Sequence, residues 1–208
     1  MMNKCSNCRC PIGTIRCRAL EKVLESVRVP CRNVSYGCKA TSSYNKKLDH
    51  EKACECAPCS CPYTNCDYVG MSKFLYFHFA QAHSQSSRQF SFDSAISISM
   101  GPNQMQVFLQ ERNHNTLFIL NRTIKSLGDL VRVICAAPAS TEGSFLYDLT
   151  AVIDGDTSIK MKTSVECIPK LTARARSRKC LLVPRDLTEL RGQLRLELIL
   201  RRNPAFAG

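Results

Sequence analysis

The stretch CRNVSYGCKATSSYNKKLDHEKAC, residues 31–54, begins and ends with cysteine and contains four side chains that commonly bind metal ions. The four residues are Cys31, Cys38, His50 and Cys54, and six, eleven and three residues separate each from the next. Zn²⁺ in structural sites takes four cysteine or histidine donors in a tetrahedron, and a pair of donors at each end of a short loop supplies them with little loss of chain entropy. The spacing therefore predicts a zinc centre.

The residues around this first set support it. His50 and Cys54 are four residues apart in a run of helix-forming residues, so both side chains should point from one face toward a single ion. Gly37 suits a tight turn immediately before Cys38.

A second set follows in CPYTNCDYVGMSKFLYFHFAQAH, residues 61–83. Its members are Cys61, Cys66, His78 and His83, and four, eleven and four residues separate each from the next. This spacing is close to that of a two-cysteine, two-histidine zinc finger. Ser72 is a candidate N-cap for a helix that carries both histidines. Phe74 and Phe77 are spaced to pack beneath this second site.

Each set supplies four donors, which leaves no position for an activated water, so we expect two structural zinc ions and no catalytic one. Buried cysteines without metal are the alternative. Within the second set Cys59 competes with Cys61, because the interval from Cys59 to Cys66 repeats the six-residue interval of the first set. We favour Cys61. Cys56 is a further candidate for the second site, but only one residue separates it from Cys54, so the first site would be crowded if Cys56 served the second.

The distribution of cysteines indicates the cellular compartment. Eleven of the 14 cysteines lie in the first 66 residues, and three of the four histidines lie in the first 83. The chain shows no secretory signal and no apolar run of about 18 residues. Many cysteines in such a chain point to metal binding in a reducing compartment. We therefore expect a cytoplasmic and/or nuclear protein that does not span a membrane.

The net charge of +12 makes nucleic acid a candidate partner. The densest basic segment, residues 170–179, contains five lysines and arginines and lies in a stretch without acidic residues between Cys167 and Arg185. A solvated loop is the simpler interpretation of such a run. The helix of the second set also offers aromatic rather than basic side chains, whereas base readout needs Arg, Asn or Gln, so nucleic acid is disfavoured.

The second half of the chain reads as short strands separated by turns. In residues 193–200, Leu194, Leu196, Leu198 and Leu200 face one way while Arg195 and Glu197 face the other, which is typical of a half-buried antiparallel strand. Eight such segments between residues 94 and 200, without long helical patterns, predict an antiparallel β-sandwich, and the fold class is α+β. Ser84–Gln89 reads as a polar connector. In residues 104–110 we expect Val107 and Leu109 on one face and Gln106 and Phe108 on the other.

No catalytic constellation appears in this half. His114 is its only histidine and has no paired carboxylate nearby in sequence, so we expect it to be solvent-exposed or hydrogen-bonded. Cys135, Cys167 and Cys180 are expected to pack as small apolar residues.

The order of these motifs resembles the seven-in-absentia family of RING-type ubiquitin ligases, and its plant members in particular. The residues that carry the likeness are Cys5-Ser6-Asn7-Cys8, Val29-Pro30-Cys31, Gly37-Cys38, residues 50–54, Cys61-Pro62, Asn65-Cys66 and residues 78–83. The resemblance implies the end of a RING and a linker helix in residues 1–29, tandem zinc fingers in residues 30–85, and a TRAF-like, substrate-binding sandwich in residues 90–203. It also implies protein substrates and a homo- or heterodimer formed through the sandwich.

One departure bears on activity. A RING holds two zinc ions with eight ligands, and Cys5 and Cys8 would be only its last pair, because the first six ligands are missing. Two donors cannot close a tetrahedral site, so we expect the chain alone to recruit substrates for ubiquitination and proteasomal degradation without transferring ubiquitin. A ubiquitin-conjugating enzyme would bind only if the RING were completed. The alternatives are a non-catalytic dimerising adaptor that competes with full-length relatives and a nucleic-acid-binding finger protein.

Overall fold

The structure, a computed structural model of the chain, describes residues 4, 8–11, 13, 17–153, 156–171, 179–187 and 193–206. None of the helices in these ranges has the length and apolar character needed to cross a bilayer.

Short helices and two-stranded sheets make up the cysteine-rich region. They are α1 (Arg18–Ser26), β1 (Arg28–Pro30), β2 (Thr41–Ser43), α2 (Lys47–Lys52), β3 (Cys59–Ser60), β4 (Val69–Gly70) and α3 (Ser72–Ala82). β1 pairs with β2, and β3 pairs with β4, in both cases antiparallel. These small elements bury little apolar surface by themselves, so the region needs another source of stability.

Ten strands follow. They are β5 (Ser87–Phe90), β6 (Ala95–Met100), β7 (Gln106–Glu111), β8 (Thr116–Lys125), β9 (Gly128–Cys135), β10 (Phe145–Val152), β11 (Ser158–Ser164), β12 (Glu166–Cys167), β13 (Leu181–Pro184) and β14 (Leu194–Arg202). One sheet has the order β11-β10-β14-β6, and the other has the order β12-β9-β8-β7-β5, with β13 also paired to β9. Only β5–β7 and β12–β9 pair in parallel among the described strands. The zinc-finger region is thus followed by a mostly antiparallel β-sandwich, which confirms the predicted fold class.

Alternation along the strands fills the space between the two sheets. In β14 the four leucines at even positions are buried, while Arg195 and Glu197 are exposed. Their core neighbours from the facing sheet include Val107, Leu109 and Phe118. Tyr147 of β10 is also fully buried in this core, and its hydroxyl donates to the carbonyl of Lys179 at 3.4 Å.

The sheet that contains β7, β8 and β9 is buried on its outer face as well. Phe108, predicted to share one face of its strand with Gln106, is 7% exposed and belongs to a second apolar cluster. That cluster joins Leu75 and Phe79 of α3 to the outward side chains of the sheet, which are Phe108, Leu117, Ile119, Ile134 and Ala136. The helix α3 therefore covers one face of the sandwich, and the predicted separation of Val107 and Leu109 from Phe108 is confirmed, with Phe108 covered by α3.

The predicted connector Ser84–Gln89 is also more ordered than its polar composition indicated. Ser84–Ser86 forms a single 3₁₀ turn, and Ser87 begins β5, which pairs in parallel with β7. Ser87 donates a side-chain hydrogen bond to Gln110 at 2.7 Å, and the Gln110 amide donates to the carbonyl of Tyr76 in α3 at 3.2 Å. These bonds continue the contact between α3 and the sheet.

We expect Phe79→Ala to lower the free energy of unfolding by about 3–5 kcal/mol, because it empties the centre of the cluster shared by α3 and the sheet. The matched control is Phe74→Ala on the same helix, where the ring is 51% exposed and the change should cost less than about 1 kcal/mol. Urea unfolding in excess zinc measures both. Equal small losses in the two variants would contradict a shared core.

Candidate zinc centres

The first candidate centre is assembled by the four residues of the first set. The donor atoms of Cys31, Cys38, His50 and Cys54 all lie within 4.8 Å of one another. The sulfurs of Cys31 and Cys54 are 3.8 Å apart, and the sulfur of Cys38 is 3.5 Å from Nε2 of His50. Sulfurs bound at about 2.3 Å to one tetrahedral ion are separated by about 3.8 Å, so this spacing fits Zn²⁺.

One turn and one helix bring these donors together. Cys31 precedes a 3₁₀ turn, Arg32–Tyr36, and its sulfur accepts the backbone N–H of Asn33 at 3.4 Å. Gly37 ends the turn at φ 92°, a left-handed conformation that glycine adopts without a Cβ clash, and directs Cys38 back toward Cys31. On the other side α2 carries His50 and ends at Lys52, so Cys54 lies beyond the helix rather than in it.

Glu51 connects the two halves of the first centre. Its side chain is 6% exposed, and its Oε1 accepts the backbone N–H of Arg32 at 3.1 Å. The carboxylate is also 3.8 Å from the charged groups of Arg32 and Lys47. Because Arg32 adjoins Cys31 and Glu51 adjoins His50, this carboxylate holds the cysteine turn against the helix. Sequence reasoning missed this role; a glutamate beside a ligand histidine was its only signal.

The environment of the first centre acts differently on its thiols. Burial is the main factor that raises the pKa of Cys31 to about 11. Burial also acts to raise the pKa of Cys54, but interactions with the Asn33 side chain and the Cys56 backbone outweigh it and lower that pKa. Asn33 is itself 4% exposed, so the first centre contains a buried polar neighbour that favours one thiolate.

The second candidate centre contains the other predicted set. The donor atoms of Cys61, Cys66, His78 and His83 lie within 4.8 Å of one another. The sulfur of Cys66 is 3.2 Å from Nε2 of His78. Nε2 of His83 is buried without a hydrogen-bond partner, as expected for a nitrogen whose partner is a metal ion.

Aromatic rings orient the two histidines. Tyr63 stacks on His83 with ring centroids 4.1 Å apart, and Tyr68 stacks on His78 at 4.0 Å. Burial lowers the pKa of His78, which keeps its imidazole neutral and able to bind a metal. No local sequence pattern indicates this role for the two tyrosines.

Two local expectations about α3 were wrong. Ser72 is the first residue of the helix and Met71 is the N-cap, and no side chain caps this end. Phe74 and Phe77 do not pack beneath the site but are 51% and 48% exposed. Leu75 and Phe79 are buried instead, because the sheet of the sandwich determines which face of α3 points inward.

The competition between Cys59 and Cys61 has a geometric outcome. Cys59 is fully buried in the cluster between α3 and the sheet, where its thiol interacts with Cys167 of the sandwich. Burial raises the pKa of Cys59 to about 12. Cys61 instead interacts with Cys66, and burial raises its pKa to about 11. Cys61 therefore lies in the donor cluster, and Cys59 lies in the apolar interface.

The remaining predicted residues lie elsewhere. Cys5 lies outside the described residues, as do positions 172–178 of the basic segment, and Cys8 is exposed. Cys135 and Cys167 are buried, and Cys180 is partly exposed. His114 is hydrogen-bonded to Glu111, with Nδ1 3.0 Å from the carboxylate, so the paired carboxylate that sequence reasoning did not find lies three residues upstream.

Comparison with known proteins identifies the family. Residues 22–92 match the family model described as "Sina, zinc finger". E3 ubiquitin-protein ligase SINA-like 7 of Arabidopsis thaliana is 37% identical over 195 residues, which cover 92% of this chain and 68% of that relative. This chain belongs to the SINA-like family. The match to the Sina zinc-finger family and the two Cys/His clusters together fit two zinc ions.

Other members extend the likeness over nearly the whole chain. SINA-like 10 of the same plant is 34% identical over 196 residues, which cover 94% of this chain and 56% of the relative. SINA-like 2 of the same plant is 31% identical over 206 residues, which cover 97% of this chain and 66% of that relative. Both carry the name E3 ubiquitin-protein ligase.

We propose that the eight clustered residues bind the two zinc ions of this SINA-like protein, with Cys61 rather than Cys59 in the second centre. Cys61→Ala should reduce zinc from about two ions to about one per chain, because three donors cannot close the tetrahedron. Cys59→Ala should retain about two. Native mass spectrometry counts the ions, and full retention in the Cys61 variant would overturn the assignment.

Proposed function

We propose that this SINA-like chain recruits protein substrates for ubiquitination and proteasomal degradation. The family relatives named as ubiquitin ligases support this role. The observation that carries it is the placement of the second finger region (residues 61–83): α3 covers the outer face of one sheet, whereas no described element covers the outer face or the edges of the sheet β11-β10-β14-β6.

The edge formed by β11 is the proposed docking site for an extended substrate segment. β11 is terminal in its sheet, and among the described strands only β10 pairs with it. Ile159 and Met161 pack against the sandwich core, while Lys160 and Lys162 are exposed. An added strand would gain backbone hydrogen bonds along seven residues, and the two lysines would favour acidic side chains in it.

In this mechanism no side chain of the chain attacks the substrate. The nucleophile is a lysine of the target, and the recruiting protein contributes proximity and orientation relative to a ubiquitin-charged conjugating enzyme. Cys5 and Cys8 resemble only the last pair of RING ligands, so ubiquitin transfer requires donors that these 208 residues do not supply. A conjugating enzyme is accordingly a partner of the completed RING.

We also propose that the chain dimerises through the sandwich, with a second copy or with a relative. Exposed apolar side chains gather where the β8–β9 turn meets β13, and they are Ile124, Leu127, Leu182 and Leu187. Leu127 is 75% exposed, and an apolar group of this kind on a folded surface favours a protein interface. We also propose a cytoplasmic and/or nuclear location, because a reducing compartment preserves thiolate ligands.

A charge reversal tests the docking edge. We expect Lys160→Glu/Lys162→Glu to abolish binding of acidic extended peptides on a peptide array, because the added strand would then meet like charges. The matched control is Lys39→Glu/Lys73→Glu, which reverses two exposed lysines of the finger region and should leave the array pattern unchanged. Unchanged binding in the β11 variant would remove this edge from the proposal.

An autoubiquitination assay tests whether the chain recruits substrates without transferring ubiquitin by itself. The 208-residue chain, supplied with a panel of conjugating enzymes, should form no ubiquitin chains by itself. A complete SINA-like relative added to the assay should form a dimer with the 208-residue chain, detected by light scattering. The relative should then ubiquitinate the substrates that the 208-residue chain recruits. Robust chains made by the isolated polypeptide would contradict the proposal, whereas inhibition of the relative would favour a competing adaptor.

A further inference from the structure

The first zinc centre has a fifth soft donor beside it. Cys56 is partly buried and packs against the cluster formed by Cys31, Cys38 and Cys54. Its thiol interacts with the thiols of Cys38 and Cys54, although it is not one of the four donors grouped within 4.8 Å. A fourth thiol beside three thiols and an imidazole gives this centre five donors, one more than a tetrahedral ion can use.

The backbone around Cys56 favours its movement toward the centre. Residues 55 and 56 form a turn after α2, and the N–H of Ala57 closes this turn on the carbonyl of Cys54 at 3.1 Å. The backbone N–H of Cys56 interacts with the sulfur of Cys54. Because Cys56 lies in a turn rather than in α2, a local rotation can bring its sulfur to the position of the Cys54 sulfur without unwinding the helix.

Among the described residues, the second centre has no comparable donor. Its last ligand, His83, is followed by Ser84–Ser86, whose side chains provide no thiol or imidazole. The neighbouring Cys59 is fully buried and interacts with Cys167 across the interface with the sandwich. Moving that sulfur toward zinc would disrupt the packing of α3 on the sheet, so the two centres differ in this respect.

We propose that Cys56 is an exchangeable ligand of the first zinc centre, able to replace Cys54. In the exchange the Cys56 thiol loses its proton to solvent and forms a zinc–sulfur bond, while the bond to Cys54 breaks and that sulfur takes up a proton. The charge of the centre and the set of three thiolates and one imidazole are unchanged. The inference rests on the proposed ligand assignment and extends it to a residue outside both sets.

Zinc counting by native mass spectrometry tests the exchange in three variants. Cys54→Ala should retain about two zinc ions per chain, because Cys56 completes the tetrahedron, while Cys54→Ala/Cys56→Ser should retain about one. Cys56→Ser alone should retain about two. The position-matched control is His83→Ala in the second centre, where no reserve donor follows and about one ion should remain.

Cobalt substitution provides a readout of the ligand set. Co²⁺ in Cys54→Ala should keep the wild-type intensity of thiolate-to-cobalt charge-transfer absorption, and the double variant should fall to the intensity given by the two thiolates of the second centre. If Cys54→Ala does not fold, Cys54→Ser with and without Cys56→Ser poses the same question, because serine fills the place of the thiol but is a poor ligand for zinc.

The outcomes separate the inference from the assignment on which it rests. A wild-type chain with clearly fewer than two zinc ions would overturn the ligand sets themselves. A wild-type chain with two ions, together with equal loss of zinc from Cys54→Ala and the double variant, would overturn the role of Cys56 alone.

Discussion

Packing of α3 against the outer face of the β7-β8-β9 region is the contact on which the rest of the structure depends. Leu75 and Phe79 enter a cluster with Phe108 and Ile119, so the finger region and the sandwich share one apolar core. Burial of large apolar side chains contributes about 1.5–3 kcal/mol each, which the small elements of the finger region cannot obtain by themselves. The helix is stable because it lies on a sheet, and that part of the sheet is apolar because a helix covers it.

Metal binding and sandwich stability are therefore linked. His78 lies on α3 and His83 directly follows its last residue, while other side chains of this helix pack on the sheet. An ion that binds only the folded arrangement stabilises it by mass action, and the stabilisation extends to every contact that requires α3 in place. In the first finger region the connection is polar instead, through the buried carboxylate of Glu51 and the backbone of Arg32.

Local patterns predicted the residues that converge and the strands that alternate. The two ligand sets were recognisable because tetrahedral coordination demands four donors at short chain separations, and each donor pair lies within a turn or next to a helix. The leucines of β14 were recognisable because a strand with one solvated face has a period of two. Phe74 and β5 were misread because each depends on a partner distant in sequence: the sheet for α3 and β7 for β5. For the same reason no local pattern indicated that α3 covers Phe108.

The amino-acid sequence by itself determined which side chains can bind metal, the family to which the chain belongs, and the order of finger region and sandwich, since these follow from donor chemistry, residue identity and short-range periodicity. Only the tertiary structure decided that Cys59 lies in the interface, that Cys56 lies beside the first centre, and that one face of the sandwich is covered while the other is open. These outcomes depend on long-range packing, because apolar surface is buried wherever complementary surface is available, and no local pattern specifies its partner.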